Sequence, residues 1–144
     1  MKHYKDSNGK VRGIYDGHEH LIKSDWVEMT AEEVKLHENP PKSAEEIIAE
    51  KVVHFTTVVD GMIDAEIEAY NKANYVVFTG INSLEKYNHP EAEHYAFANS
   101  MITWVTTKDT GLWATARRIQ QEVLSGTIPE PTDAQFIAML PTRT

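Results

Sequence analysis

The sequence predicts an α+β chain in which helix dominates: a small N-terminal β-meander followed by a helical bundle. Three observations lead there. Residues 90–126 read as one long helix, or two nearly collinear ones, holding Tyr95, Phe97, Trp104 and Trp113. An apolar seam, Ile48, Val52, Phe55, Val59 and Met62, runs at alternating spacings of four and three, which is the period of a helix face. The hairpin-type patterns fall before residue 30, where Asn8-Gly9 gives a hairpin signal.

From the N-terminus, residues 1–15 predict a β-hairpin turning at Asn8-Gly9 in a type I′ geometry. Asp16-Gly17 marks a second turn, and His20-Leu21-Ile22 with Trp26-Val27 supplies a third strand. A lone hairpin is marginal in water, so the sheet needs a packing partner. Thr30 and Glu33 form a capping box that opens a short helix ending at Asn39-Pro40-Pro41. The prolines divide a β-rich head, residues 1–40, from a helical domain, residues 41–144.

A second capping box, Ser43 to Glu46, starts a helix over about 44–72. Its seam predicts intramolecular packing. A face toward a second copy of the chain is the competing reading, but fewer than four heptads are present. Residues 74–78 (NYVVF) suit a strand or a buried turn, and 80–89 a loop with Tyr87. The next helix opens at Pro90 with Glu91 and Glu93 near its positive end. Thr106, Thr107, Thr110 and Gly111 predict a break inside it, and Gly126 ends it before Pro129 and Pro131. Val52, Phe55, Val59, Met62, Met101, Ile102, Val105, Ile119 and Val123 are the expected core. A third capping box, Thr132 to Gln135, starts a helix over 132–139. That helix is too short to stand alone in water. Phe136 and Leu140 are therefore expected to dock near Trp113.

Composition narrows the function classes. The chain has 144 residues, 41% of them hydrophobic, and a net charge of −8. Such a balance disfavours nucleic acid and anionic membranes as partners. Lysine and arginine number 6 against 8 acidic residues over 1–40, and 8 against 14 over 41–144. The charge is spread, with no dense acidic stripe. No apolar run suits a transmembrane helix, and the polar start MKHYKDSNGK predicts no secretory signal. The absence of cysteine removes disulfides, thiolate catalysis and cysteine zinc sites.

No catalytic motif stands out. Phosphate loops, G-x-S-x-G and H-E-x-x-H are all missing. Asp60 and Asp64 lie four apart on one helix but read as solvated charge, and Asp109 stands alone. His18 and His20 share a face if they lie on a strand, yet lack a third ligand. His89 and His94 are five apart, a poor spacing for a shared helix face. The expectation is a non-enzyme without metal or cofactor. Trp104 and Trp113 are nine apart, so one narrow stripe cannot centre both. With Phe136 and Leu140 they are the candidate partner contacts.

From Trp113 onward the sequence reads W-ATARRIQQEVLS-G-TI-P-E-P-TDAQ-FIA-M-LP. This resembles a module among phage tail-fibre and tail-fibre-assembly proteins: a Trp-bearing helix ending at Gly, a P-x-P spacer, and a short helix ending in Leu-Pro. The matching positions are Trp113, Gly126, Pro129, Pro131, Phe136, Ile137, Ala138, Leu140 and Pro141. Asp64, Tyr70, 78–80 (FTG) and 91–98 look like the same module upstream, and 1–41 is similar to the β-rich head of small phage tail proteins. Where the family often carries a W-R-D-x-x-W run, Lys108 stands at its first position and Trp104 one turn earlier. The resemblance implies a tail-fibre assembly factor or accessory tail subunit. It would bind a tail-fibre or baseplate protein, in the host cytoplasm during assembly or in the virion. The competing functional reading is a phage-encoded acidic inhibitor of a host defence system.

Overall fold

The computed structural model describes residues 1–144, which form two compact units, Met1–Ser43 and Ala44–Thr144. The chain is helix-dominant α+β, with one three-stranded antiparallel sheet at its N-terminal end.

In the first unit, β1 (Lys2–Lys5) pairs with β2 (Val11–Ile14), Lys5 opposite Val11. The connection is a five-residue loop, not the expected two-residue turn. The Asp6 carboxylate accepts the amides of Asn8 and Lys10 at 2.9 Å each, and only Gly9 takes a positive φ, 75°. A type I′ turn needs positive φ at both central residues, so the aspartate's own turn has displaced it. These amides, Lys10 foremost, together with Arg12, hold the Asp6 carboxyl below its ordinary range. The third strand, β3 (Val27–Glu28), pairs with β1. The order β2-β1-β3 places the first strand in the middle, which corrects the meander. His20 and Leu21 lie in a 3-10 turn, Glu19–Leu21, outside the sheet. Helix α1 (Ala31–Glu38) opens on the Thr30–Glu33 capping box and buries no residue. Tyr4 and Met29 are the buried apolar residues of this unit.

The second unit is built on α2 (Ala44–Asn74), 31 residues and so about 46 Å long. Its buried row is Phe55, Val59, Ile63 and Ile67, each four apart, one of the two ridge directions on a helix surface. The expected seam is corrected at its start: Ile48 is exposed, Val52 and Met62 half-buried. Past α2 the chain forms neither strand nor helix. Asn71 instead holds Phe78 from both sides, its carboxamide donating to the Phe78 carbonyl and accepting the Phe78 amide, each at 2.9 Å. The expected loop contains helical turns, α3 (Ile81–Leu84) and a 3-10 turn Glu85–Tyr87, with Leu84 fully buried.

The expected long helix is two helices, α4 (Tyr95–Thr106) and α5 (Leu112–Leu124). Helix α4 begins five residues after Pro90, at a His94 cap with φ 65°. The break falls at 107–111, where the Gly111 amide donates to the Thr107 carbonyl and Asp109 takes φ 66°. A Cβ on Gly111 would sit 2.6 Å from the Thr107 oxygen, so only glycine allows this approach. Helix α6 (Asp133–Met139) starts on the Thr132–Gln135 capping box. One core joins α2, α3, α4, α5 and α6, with Leu84, Met101, Leu112, Ile119 and Phe136 fully buried in it. Ile102 packs on it half-buried.

Candidate partner-binding surface

The four aromatic and apolar candidates part company here. Phe136 is buried edge-to-face on Phe55, ring centroids 4.6 Å apart, and Leu140 is buried beside it in the same core. The tail therefore docks on α2 at Phe55, where Trp113 had been expected. Trp104 is buried and gives its indole N–H to the Pro141 carbonyl at 2.7 Å. Beyond Pro141, Arg143 donates two hydrogen bonds to one Glu66 oxygen, at 2.7 and 3.1 Å, and one to Ser100 at 3.2 Å. Its guanidinium lies 5.3 Å from the Phe97 ring. Trp104, Phe136 and Leu140 are thus consumed inside the chain.

Trp113 is different. It is the second residue of α5 and packs only partly against the core. Every buried side-chain nitrogen and oxygen of the chain has a hydrogen-bond partner. Trp113 borders two cavities. The first, about 360 Å³, has an apolar floor of Val52, Phe55 and Ala116, with Thr56, Arg117, Gln120 and Gln121 around it. The second, about 270 Å³, is lined by Asp60, Asp64, Thr79, Gly80, Asn82 and Ile63. Both run along the seam between α2 and α5. Gly80, at φ 124°, turns the chain so that Thr79 and Asn82 reach the second cavity.

No protein-family model, curated protein or solved structure matches the chain. The surface must be read from its own chemistry.

The polar groups weighed in the sequence fall as follows. Asp60 and Asp64 join Trp113 and Asn82 around one cavity. Nothing in the sequence beyond their spacing of four marks them, because the other partners come from residues 79–82 and 113. His18 caps the 3-10 turn and His20 lies in it, their ring centroids 6.1 Å apart, and no third carboxylate or imidazole completes a metal set with them. Asp109 is exposed in the interhelical turn. His89 is exposed. His94 belongs to an aromatic cluster: its Nδ1 is 2.8 Å from the Tyr70 hydroxyl, and Tyr70 stacks flat on Phe97 at 3.7 Å. That cluster packs the α2–α4 contact. No helix of the chain is long and apolar enough to cross a membrane.

Proposed function

We propose that this chain acts by binding another protein, as a bacteriophage tail-fibre assembly factor or accessory tail subunit, and not by catalysis. The observation that carries the reading is Trp113, a large aromatic only partly buried and bordering two cavities, while Trp104, Phe136 and Leu140 are packed into the core. Tryptophan is the residue type that dominates the binding energy of protein interfaces, seated at their centres and ringed by polar groups. The flanking glutamines, aspartates and Asn82 supply such a rim. The resemblance of residues 113–141 to tail-fibre-assembly modules supports a tail-fibre or baseplate protein as the partner, met in the host cytoplasm during assembly or in the tail.

Co-expression with the C-terminal region of the tail-fibre protein from the same phage tests the reading. A complex that survives purification is expected, and Trp113→Ala should dissolve it while the chain stays folded. A fibre that never co-purifies, or a complex indifferent to the substitution, overturns the proposal.

A further inference from the structure

The loop between β1 and β2 places a free carboxamide beside an unshielded backbone nitrogen. Of the chain's asparagines, Asn8 is the one followed by glycine. Asn71, Asn74, Asn88 and Asn99 spend their carboxamides on hydrogen bonds within the chain. Asn39 precedes Pro40, whose nitrogen has no hydrogen to lose. Asn8 and Gly9 are both exposed, and the Asn8 carboxamide has no partner in the chain. Nothing lies within 4 Å of the place a Cβ on Gly9 would occupy. A second set of contacts restrains the same nitrogen. The Gly9 N–H donates to the Asp6 carbonyl at 2.9 Å. On either side, the Asn8 and Lys10 amides donate to the Asp6 carboxylate at 2.9 Å each. Arg12 holds that carboxylate in turn, its Nη2 3.5 Å from Oδ2.

We infer that Asn8 is a modification site, where the side chain converts to aspartate and isoaspartate through a succinimide, at a pace set by Asp6. The reactants are the chain and water. The Gly9 nitrogen gives up its proton and attacks Cγ of Asn8. A C–N bond forms, and the carboxamide nitrogen leaves as ammonia with the displaced proton. Water then opens the cyclic imide at one of its two carbonyls. Opening at Cγ leaves aspartate. Opening at the main-chain carbonyl leaves isoaspartate, with the chain running through the former side chain. Nothing is oxidised or reduced. Glycine permits the attack because no Cβ crowds the nitrogen. The attack also requires the Gly9 N–H to leave the Asp6 carbonyl and the loop to turn, so the bonds to Asp6 act as a brake. The product places a new carboxylate two residues from Asp6, where like charges repel. Isoaspartate lengthens the main chain between Asp6 and Lys10, which pulls the Lys10 amide away from the Asp6 carboxylate. The pair Lys5 and Val11 lies directly beyond, so the modification loosens this end of the β1–β2 pairing. The inference stands apart from the protein-binding reading.

Incubation of the full chain in mildly alkaline buffer, followed by peptide mapping with mass detection, tests the inference. The peptide of residues 6–10 is expected to gain the mass difference between a carboxamide and a carboxylic acid. It should split into two chromatographic forms, one of them labelled by an isoaspartate-specific methyltransferase. Gly9→Ala should slow the conversion at least about tenfold, and Asn8→Gln, which cannot close the same ring, should abolish it with the loop's backbone contacts kept. Asp6→Ala should hasten it several-fold, toward the rate of a synthetic peptide of residues 5–11. A 6–10 peptide of unchanged mass when the synthetic peptide has fully converted, an equal rate in Gly9→Ala, or earlier conversion at another asparagine overturns the site. Conversion no faster in Asp6→Ala than in wild type overturns the brake.

Discussion

Helices α1 and α6 start on the same device and end in different surroundings. In each a threonine accepts the third helical amide at 3.2 Å, and a Glu or Gln side chain returns to the threonine amide at 2.8 or 2.9 Å. Helix α6 then buries Phe136 against Phe55. Helix α1 buries nothing, and its Leu36 is exposed. A capping box states where a helix begins. What the helix packs on is decided by whether a large apolar residue falls on the face that meets another element. The first unit, with Tyr4 and Met29 buried, draws on turn and cap hydrogen bonds and exposed ion pairs such as Lys5–Glu33, each contributing little. The second draws on a core shared by five helices, α2 to α6.

The sharpest way to break this contrast is to remove the apolar anchor. Phe136→Ala should destabilise the second unit by about 3–5 kcal/mol, read as a lower denaturant midpoint. Leu36→Ala in α1 should change stability by less than about 0.5 kcal/mol. Equal losses would show that α1 is packed as α6 is.

Two glycines sharpen the point inside the second unit. Gly111→Ala forces a Cβ onto the Thr107 backbone and should cost about 1–3 kcal/mol. Gly61, in the middle of α2, has no atom within 4 Å of the place an added methyl would occupy. Gly61→Ala should therefore stabilise by about 0.5–1 kcal/mol. Thermal melts that moved both variants the same way would refute the close approach at 107–111.

The caps give the smallest effects. Thr132→Ala should cost about 1 kcal/mol in the melt of the second unit, while Thr30→Ala should fray α1 alone, seen as faster amide exchange over Ala31–Glu38. Acid sharpens the same difference. The Thr30 amide first, and Lys5 next, hold the Glu33 carboxyl below its ordinary range. A depressed folded value means stability that is present above the ordinary glutamate range and fades as pH falls through the depressed value. The α1 amides should lose protection in that window. At the α6 cap Gln135 stands in the place of Glu33 and has no charge to lose. Amides of α6 that lost protection with those of α1 would refute this.

Much of the fold was legible because its signals are local. The capping boxes at Thr30 and Thr132, the break at 106–111, the Gly126 stop and the docking of Phe136 and Leu140 follow from residue type and short spacings. What was not legible depends on distant partners. The sheet order turns on which edge of β1 the two residues of β3 reach. Ile48 fits the periodic seam, yet it is exposed, and periodicity says nothing of where a covering helix stops. Phe78 is held by the carboxamide of Asn71 and not by a ladder, a pairing that no strand pattern encodes. At the candidate site, Trp113 was visible as an aromatic that one stripe could not hold. Its neighbours Asp60, Asp64 and Asn82 were not, since two helices and a turn assemble them.

The central claim is that Trp113 is kept for a partner while Trp104 and Phe136 are kept for the fold. Calorimetric titration of the fibre C-terminal region into wild type, with the melting temperature of each variant, tests it most directly. Trp113→Ala is predicted to weaken binding by at least about 30-fold, the scale of an interface hot spot of 2 kcal/mol, and to lower the melting temperature less than Phe136→Ala does. Binding unchanged in Trp113→Ala, or a melting temperature that falls as far as in Phe136→Ala, would contradict it.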